Sequence, residues 1–461
     1  AYTVWATHRS SDGYGVPTYP QGVPMALQVD GDESDDLAMG VTINRQLRQG
    51  ESLRFGLNVH KCEFEQFMTE STSNTTWDTD RTKLVSNIIY KKQLRDNQHF
   101  TFKINHQNRD DDLSAVPYAA FGRTEDFEDF EHSQFEARHM TNMRNGNTLT
   151  FGASYNRIAG EGFEYEADHS LNDFSFYGLA DIKLNERDNL LLGVNSYSNS
   201  ETDSDFTFTT GLLHKLNKDE VLRFGYATGI RAPDLKVLYF NRLTIQVAPF
   251  VFVPLFNGGN VNLENEEYEQ FDIGYEKRWK KSSLKLDFYF NSSSERIFVQ
   301  NISTVPGPPL FGFVNRAADQ SADCALLTYD RVFDKKVRST FAYRYSDVDW
   351  DDGSNNRYVP RHKLMLNSTI TPNDKWTINL LAYSTSPYNT STTNPAFPKL
   401  DGYHTLDLTV QHHCGPNHKN TAWLKVQNLF DSNHYEMFRE TNAPGGAEME
   451  RLVTLGYQVR F

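Results

Sequence analysis

The chain has 461 residues, 38% hydrophobic and 13% aromatic, with 23 Tyr, 32 Phe and a formal charge of −14 at pH 7. No apolar run approaches the roughly 18 residues that a spanning helix needs, and the acidic balance argues against nucleic acid, whose phosphates need clustered Lys and Arg. Cys62, Cys324 and Cys414 are far apart and odd in number, which gives neither a disulfide framework nor a zinc site.

Alternating apolar and polar residues recur along the whole chain, the period of a strand with one wet face. They predict strands over 2–9, 38–47, 52–66, 80–93, 97–107, 131–143, 147–159 and 171–184. Further strands are expected over 188–199, 206–216, 220–229, 268–279, 283–299 and 315–333. The last are 336–348, 361–371, 375–386, 402–413, 420–428 and 451–461, making about twenty in all. The final one puts Val453, Leu455, Tyr457, Val459 and Phe461 on one face and ends the sequence on an aromatic.

The connections fall into two sets. Short ones carry turn residues, as in Arg48-Gln49-Gly50-Glu51, Arg144-Asn145-Gly146-Asn147 and Asn217-Lys218-Asp219-Glu220. Long ones cover 10–37, 67–79, 108–130, 160–170, 230–267, 300–314, 349–360, 387–401 and 429–450, with one short member at Glu201 to Asp205. Long and short alternate, as they do in an up-and-down transmembrane barrel with short turns at one end and long loops at the other. A propeller would repeat in blades of four strands with a recurring motif, and none is present. The expected fold is therefore all-β, a large antiparallel up-and-down transmembrane β-barrel.

Three stretches carry a resemblance. Gly225-Tyr226-Ala227-Thr228-Gly229-Ile230-Arg231-Ala232-Pro233-Asp234-Leu235 is a strand-to-loop segment with an Arg-Ala-Pro core. Gly259-Asn260-Val261-Asn262-Leu263-Glu264-Asn265-Glu266 leads into Phe271-Asp272-Ile273-Gly274, with Asp272 where Glu is usual. Val426-Gln427-Asn428-Leu429-Phe430-Asp431 precedes the closing strand and Phe461, and Val359-Pro360-Arg361-His362 opens another strand. In this order and spacing the chain resembles the TonB-dependent outer-membrane receptors.

The resemblance implies a barrel of 22 strands, so residues 1–461 read as the barrel domain without the N-terminal plug and first two strands. It implies an integral protein of a Gram-negative outer membrane, in contact with lipid and lipopolysaccharide. It also implies uptake of a scarce nutrient complex, energised by TonB acting on a plug. A ferric siderophore or other metal chelate is the commonest cargo class; cobalamin, haem and oligosaccharide are alternatives, as is a passive plugless pore. No cofactor and no enzymatic activity are expected, since no Gly-x-Ser-x-Gly elbow or His-Glu-x-x-His helix occurs.

The candidate ligand residues are aromatic residues of the long loops, because ligand pockets are commonly aromatic. They are Tyr239, Phe250, Phe252 and Phe256 in one loop, with Tyr118, Phe121, Trp350 and Tyr388 from others. The same residues could instead pack loop against loop or against a plug. Arg231, Pro233, Asn260, Asn262, Asn428, Asp431 and Phe461 belong to the motifs and are expected to fix barrel geometry. Acid-rich runs at Asp30 to Asp36, Asp110 to Asp112, Glu125 to Glu131 and Glu161 to Asp168 could hold Ca²⁺ or form a solvated outer surface. His412-His413-Cys414 and His418 sit at an expected turn, away from any ligand, and are not read as a metal site.

Overall fold

The computed structural model describes residues 2–11, 34–70, 73–114, 125–162, 165, 167–248, 251–304, 310–354, 359–389, 399–415, 420–432 and 451–458. One 20-stranded antiparallel sheet forms the wall of the barrel. Each strand pairs with its neighbour in the chain, from Tyr2–Ser11 against Ser34–Arg48 to Asn420–Gln427 against Leu452–Gln458. Among the described residues the first and last strands do not pair with each other. The alternation read from the sequence finds every strand of the wall, and Asp188–Asn199 matches at both ends.

One face of the wall is apolar and points outward. Phe224, Phe271 and Phe288 lie on it, on three adjacent strands. The opposite face of the same strands holds Arg223, Asp272 and Asp287, and Arg223 Nη2 donates to Asp287 Oδ1 at 2.6 Å. Elsewhere on the inner face, Glu136 accepts from Lys103 Nζ at 2.6 Å and from the Tyr177 hydroxyl at 2.8 Å. A lipid-facing exterior with a polar interior is the arrangement a membrane barrel requires. The closing strand follows it, with Val453, Leu455 and Tyr457 exposed on one face. Val459 and Phe461 lie outside the described residues.

Short turns close one end of the wall. Gly50 (φ 74°) and Gly146 (φ 87°) take the left-handed conformation these turns need, which costs a residue with a Cβ more. Asn185 Oδ1 accepts from Arg187 N at 2.7 Å and Asp188 N at 3.0 Å, a local substitute for a backbone turn.

At the other end, two expected loops are largely strand. Residues expected as the loop 67–79 belong mostly to Glu51–Glu70 and Ser73–Arg95. Much of 108–130 belongs to Gln98–Ser114 and Glu125–Asn142. The acidic runs at Asp110 to Asp112 and Glu125 to Glu131 are therefore ladder residues rather than loops, with Asp111 opposite Glu128. Arginine makes this possible. Asp111 is 2% exposed and accepts from Arg81 Nε at 2.7 Å and Nη2 at 2.6 Å. Arg109 reaches Asp111 at 3.3 Å and Glu128 at 2.8 Å. A buried carboxylate persists only when paired in this way. Asp30, Asp32 and Glu33 lie outside the described residues. Asp35 and Asp36 pair with His8 and His60, both at 3.0 Å. Among the described residues no group of three or more His, Cys, Asp and Glu is arranged to hold a metal ion.

The two faces predict different tolerance. Phe288→Arg, on the outer face, should destabilise the folded barrel by roughly 2–4 kcal/mol, whereas Gln270→Arg on the inner face should cost far less. Urea titration of both variants in lipid vesicles checks this. Equal costs would contradict the assignment of faces.

Candidate functional site

The chain between Glu220–Arg231 and Glu266–Trp279 folds back on itself. It forms the helix Leu235–Tyr239 and the strands Leu243–Ala248 and Val251–Phe256. A second insertion, between Ser282–Ser294 and Gln320–Val332, supplies the strands Arg296–Asn301 and Phe311–Arg316. These four strands make a small separate sheet, joined by a parallel contact between Phe256 and Phe311. The expected strand 283–299 breaks at Glu295, whose φ of 51° turns the chain off the wall. The expected strand 315–333 likewise divides between Arg316 and Gln320.

Apolar burial fixes where the helix sits. Leu235, Leu238 and Leu263 form a buried cluster with Tyr165 and Leu171, packed against Ile158. Leu171 and Ile158 are paired across the wall, on the same inward side as Tyr177. The helix therefore lies against the inner wall and narrows the mouth of the barrel. Each buried leucine contributes roughly 1.5–3 kcal/mol to holding it there. Asp234 caps the helix by accepting from Val237 N at 3.0 Å.

Glu266 ties the pieces together. It is 1% exposed. Its Oε1 accepts from Ile297 N at 2.8 Å, which anchors the second insertion. Its Oε2 accepts from the Tyr268 hydroxyl at 2.6 Å and from Arg231 Nη1 at 3.3 Å, and Arg296 Nε stands 4.0 Å from Oε1. Asn260 Nδ2 donates to Phe313 O at 3.0 Å, and its Oδ1 accepts from Asn262 N at 3.0 Å. Asn315 Nδ2 donates to Glu264 O at 3.1 Å and to Glu295 O at 2.7 Å. At Gly259 a Cβ would fall 2.2 Å from Leu238 O, so only glycine lets the returning chain pass the helix. Pro233 is buried at the head of that helix.

The aromatic candidates occupy linked clusters. Tyr239 stacks on His169, with ring centroids 3.7 Å apart and planes at 6°. Burial, then the neighbouring Glu201 carboxylate, pushes its hydroxyl up to about 12. Phe256 sits edge-on to Phe240 and Phe313, at 5.2 and 5.1 Å. Trp350 is buried beneath Arg316, whose guanidinium lies 3.9 Å over its ring, with Phe298 edge-on at 5.4 Å. Arg316 also pairs with Asp352 at 2.6 Å. That contact, with help from Ser354, pulls the Asp352 carboxyl down to about 2. The strand Phe311–Arg316 carries both Phe313 and Arg316, and so joins the last two clusters. Tyr388 is buried in a separate two-strand pairing with Lys399–Leu400. Phe252 falls in the strand Val251–Phe256; Phe250, Tyr118 and Phe121 lie outside the described residues.

Sequence reasoning misses Arg316, Phe298 and Glu266 as organising residues. The first two meet Trp350 only through the folded-back strands. Glu266 stands in the Asn-Leu-x-x-Glu motif, its one signal in the sequence.

The remaining motif residues lie before the last strand. Asn428 and Asp431 both take positive φ, 49° and 56°. Asn428 N donates to Asp407 Oδ1 at 3.0 Å, and its side chain bonds Ser432 N and O, both at 3.0 Å. Asp431 accepts from Arg451 N and Arg451 Nη2, both at 2.9 Å, and these bonds hold its carboxyl below the usual range. The motif thus grips the residue that opens the final strand.

A family model described as TonB dependent receptor-like, beta-barrel, matches residues 7–429. Solved structures with the same fold include the siderophore receptor PirA from Acinetobacter baumannii, at a TM-score of 0.82 and 11% identity, covering 100% of this chain and 75% of that one. The FrpB iron transporter from Neisseria meningitidis (F3-3 variant) gives 0.78 at 11% identity, covering 99% and 76%. The ferric-catecholate import receptor Fiu from K12 E. coli gives 0.74 at 10% identity, covering 100% and 78%. At these identities the likeness concerns the fold. A search of curated protein sequences finds no match.

Removing Glu266 should release the second insertion. Glu266→Ala removes the acceptor of Ile297 N, the Tyr268 hydroxyl and Arg231 Nη1, at a cost of about 1–3 kcal/mol to the local fold for the donors left unsatisfied. Hydrogen exchange should show the Ile297 amide losing protection while amides of the wall keep theirs.

Proposed function

The chain belongs to the family of TonB-dependent receptor-like β-barrels, matched from residue 7 to residue 429, and from that membership we propose that it takes up a ferric siderophore or another metal chelate across a Gram-negative outer membrane. Barrels of this family are receptors and transporters, and no covalent chemistry is assigned to this one. The observation that carries the cargo reading is the mouth, narrowed from within by two insertions that bring Arg316, Trp350, Phe298 and Phe256 to one folded-in wall.

Such a wall suits a chelate whose outer oxygens can accept from a guanidinium. Trp350 and Phe298 fix the Arg316 guanidinium, and Asp352 keeps its charge down to about pH 2, so the Arg316–Asp352 pair persists through the physiological range. A fixed guanidinium loses less freedom on binding than a mobile one. Tyr239 and Phe256 serve as the aromatic lining in this reading, Trp350 supports Arg316 from beneath, Tyr388 lies buried apart from them, and Arg231, Pro233, Asn260, Asn262, Asn428 and Asp431 shape the strands that carry the wall.

Energisation by TonB is part of the proposal, and it rests on membership of the TonB-dependent family.

Equilibrium binding tests the cargo reading. The native protein should bind a ferric chelate saturably, and Arg316→Ala, or Trp350→Ala which frees the guanidinium to move, should weaken it about tenfold, or about 1.4 kcal/mol. A panel of ferric chelates with no saturable binder, or variants that bind like wild type, would overturn it. Unsaturable solute flux through the protein would instead support a passive pore.

A further inference from the structure

The turn end of the wall carries a feature that cargo uptake does not use. On its outer face a recess of about 460 Å³ is lined by Trp279, Lys280, Lys281, Ser282, Tyr329 and Arg331. The register aligns Trp279 with Ser282 and Ser282 with Arg331, so the three sit side by side on neighbouring strands. Tyr329 stands opposite Leu284, one step toward the apolar band that continues through Leu286 and Phe288. The recess therefore opens at the boundary between lipid tails and headgroups. Trp and Tyr favour that depth.

The charges at this recess are unbalanced. Lys277 lies 5.4 Å over the Trp279 ring, but Glu220 takes its charge at 2.6 Å. Glu276 takes that of Arg278 at 2.5 Å. Lys280, Lys281 and Arg331 have no ion pair among the described residues, and no carboxylate lines the recess. Two of them are held by neutral groups. Lys281 Nζ donates to Phe333 O at 3.2 Å. Arg331 Nη1 donates to the Tyr329 hydroxyl at 3.3 Å, and its guanidinium lies 5.3 Å over the Phe333 ring. Cations positioned by neutral groups, with donors to spare, form a receptor for an anion.

We propose that this recess binds the phosphodiester headgroup of an anionic phospholipid in the periplasmic leaflet. A zwitterionic headgroup brings an ammonium that three unpaired cations repel, so phosphatidylglycerol should be preferred over phosphatidylethanolamine. Lipopolysaccharide belongs to the opposite leaflet, beyond the apolar band. The inference rests on the outer-membrane placement of the barrel and not on its cargo, so it survives if no chelate binds.

Native mass spectrometry of the protein purified from outer membranes, titrated with either lipid in matched acyl chains, tests it. The wild type should retain phosphatidylglycerol at a concentration at least about fivefold lower than phosphatidylethanolamine, the contribution of a single cation near the membrane surface. Lys280→Gln/Lys281→Gln/Arg331→Gln should abolish that preference. Lys91→Gln/Lys92→Gln/Arg95→Gln, which removes as many exposed cations elsewhere on the same rim, should leave it intact. If the first triple variant does not reach the membrane, Arg331→Gln alone should reduce the preference. Equal retention of both lipids by the wild type overturns the proposal, and so does equal loss in the two triple variants. Displacement of the lipid by millimolar inorganic phosphate would overturn it as well, in favour of a soluble-anion site.

Discussion

Backbone hydrogen bonding in lipid is the constraint from which the rest of this structure follows. A bilayer core offers no water to an unpaired N–H or C=O, so every strand needs a neighbour on both sides. Among the described residues the wall meets this for every strand but its first and last, through an antiparallel ladder in which consecutive wall strands pair. Once that ladder exists, the period of two dictates chemistry as well. Phe224 and Phe271 must face lipid because Arg223 and Asp272 face the interior. The charged interior is then kept in order by pairs such as Arg223 with Asp287.

Where the chain leaves the lipid zone the constraint relaxes, and the structure becomes specific to its own sequence. The insertions at the mouth are held by a few concentrated interactions. Glu266 is the centre, a carboxylate without solvent that accepts from one backbone amide, one hydroxyl and one guanidinium. The arrangement couples the Arg-Ala-Pro segment to the second insertion, which in turn presents Arg316 above Trp350. A change at Glu266 thus reaches the wall of the mouth without touching any of its aromatic residues.

The strands were legible because alternation survives wherever one face meets lipid. It fades above the membrane, where both faces are polar, and this is why 67–79 reads as a loop although the ladder continues through Glu70 and Ser73. It also misleads at Glu295. Ile297 and Val299 keep the period of two, yet the chain has already turned off the wall to pair with Phe311–Arg316. The site was partly legible. Tyr239, Phe256 and Trp350 stand out as aromatics in long loops, but Phe298 and Arg316 join them only through pairings between distant segments. No local pattern encodes those contacts. The grip of Asn428 and Asp431 on the last strand has a local signature, two residues suited to positive φ before a strand.

Transport measured in living cells is the direct test of energised uptake through this barrel. Iron-starved cells carrying the native protein as their only receptor for a labelled ferric chelate should accumulate the label saturably. Accumulation should stop when TonB is deleted or the proton gradient is collapsed. Accumulation that continues undiminished without TonB, or that rises linearly with external concentration, would contradict the account and leave a passive pore in its place.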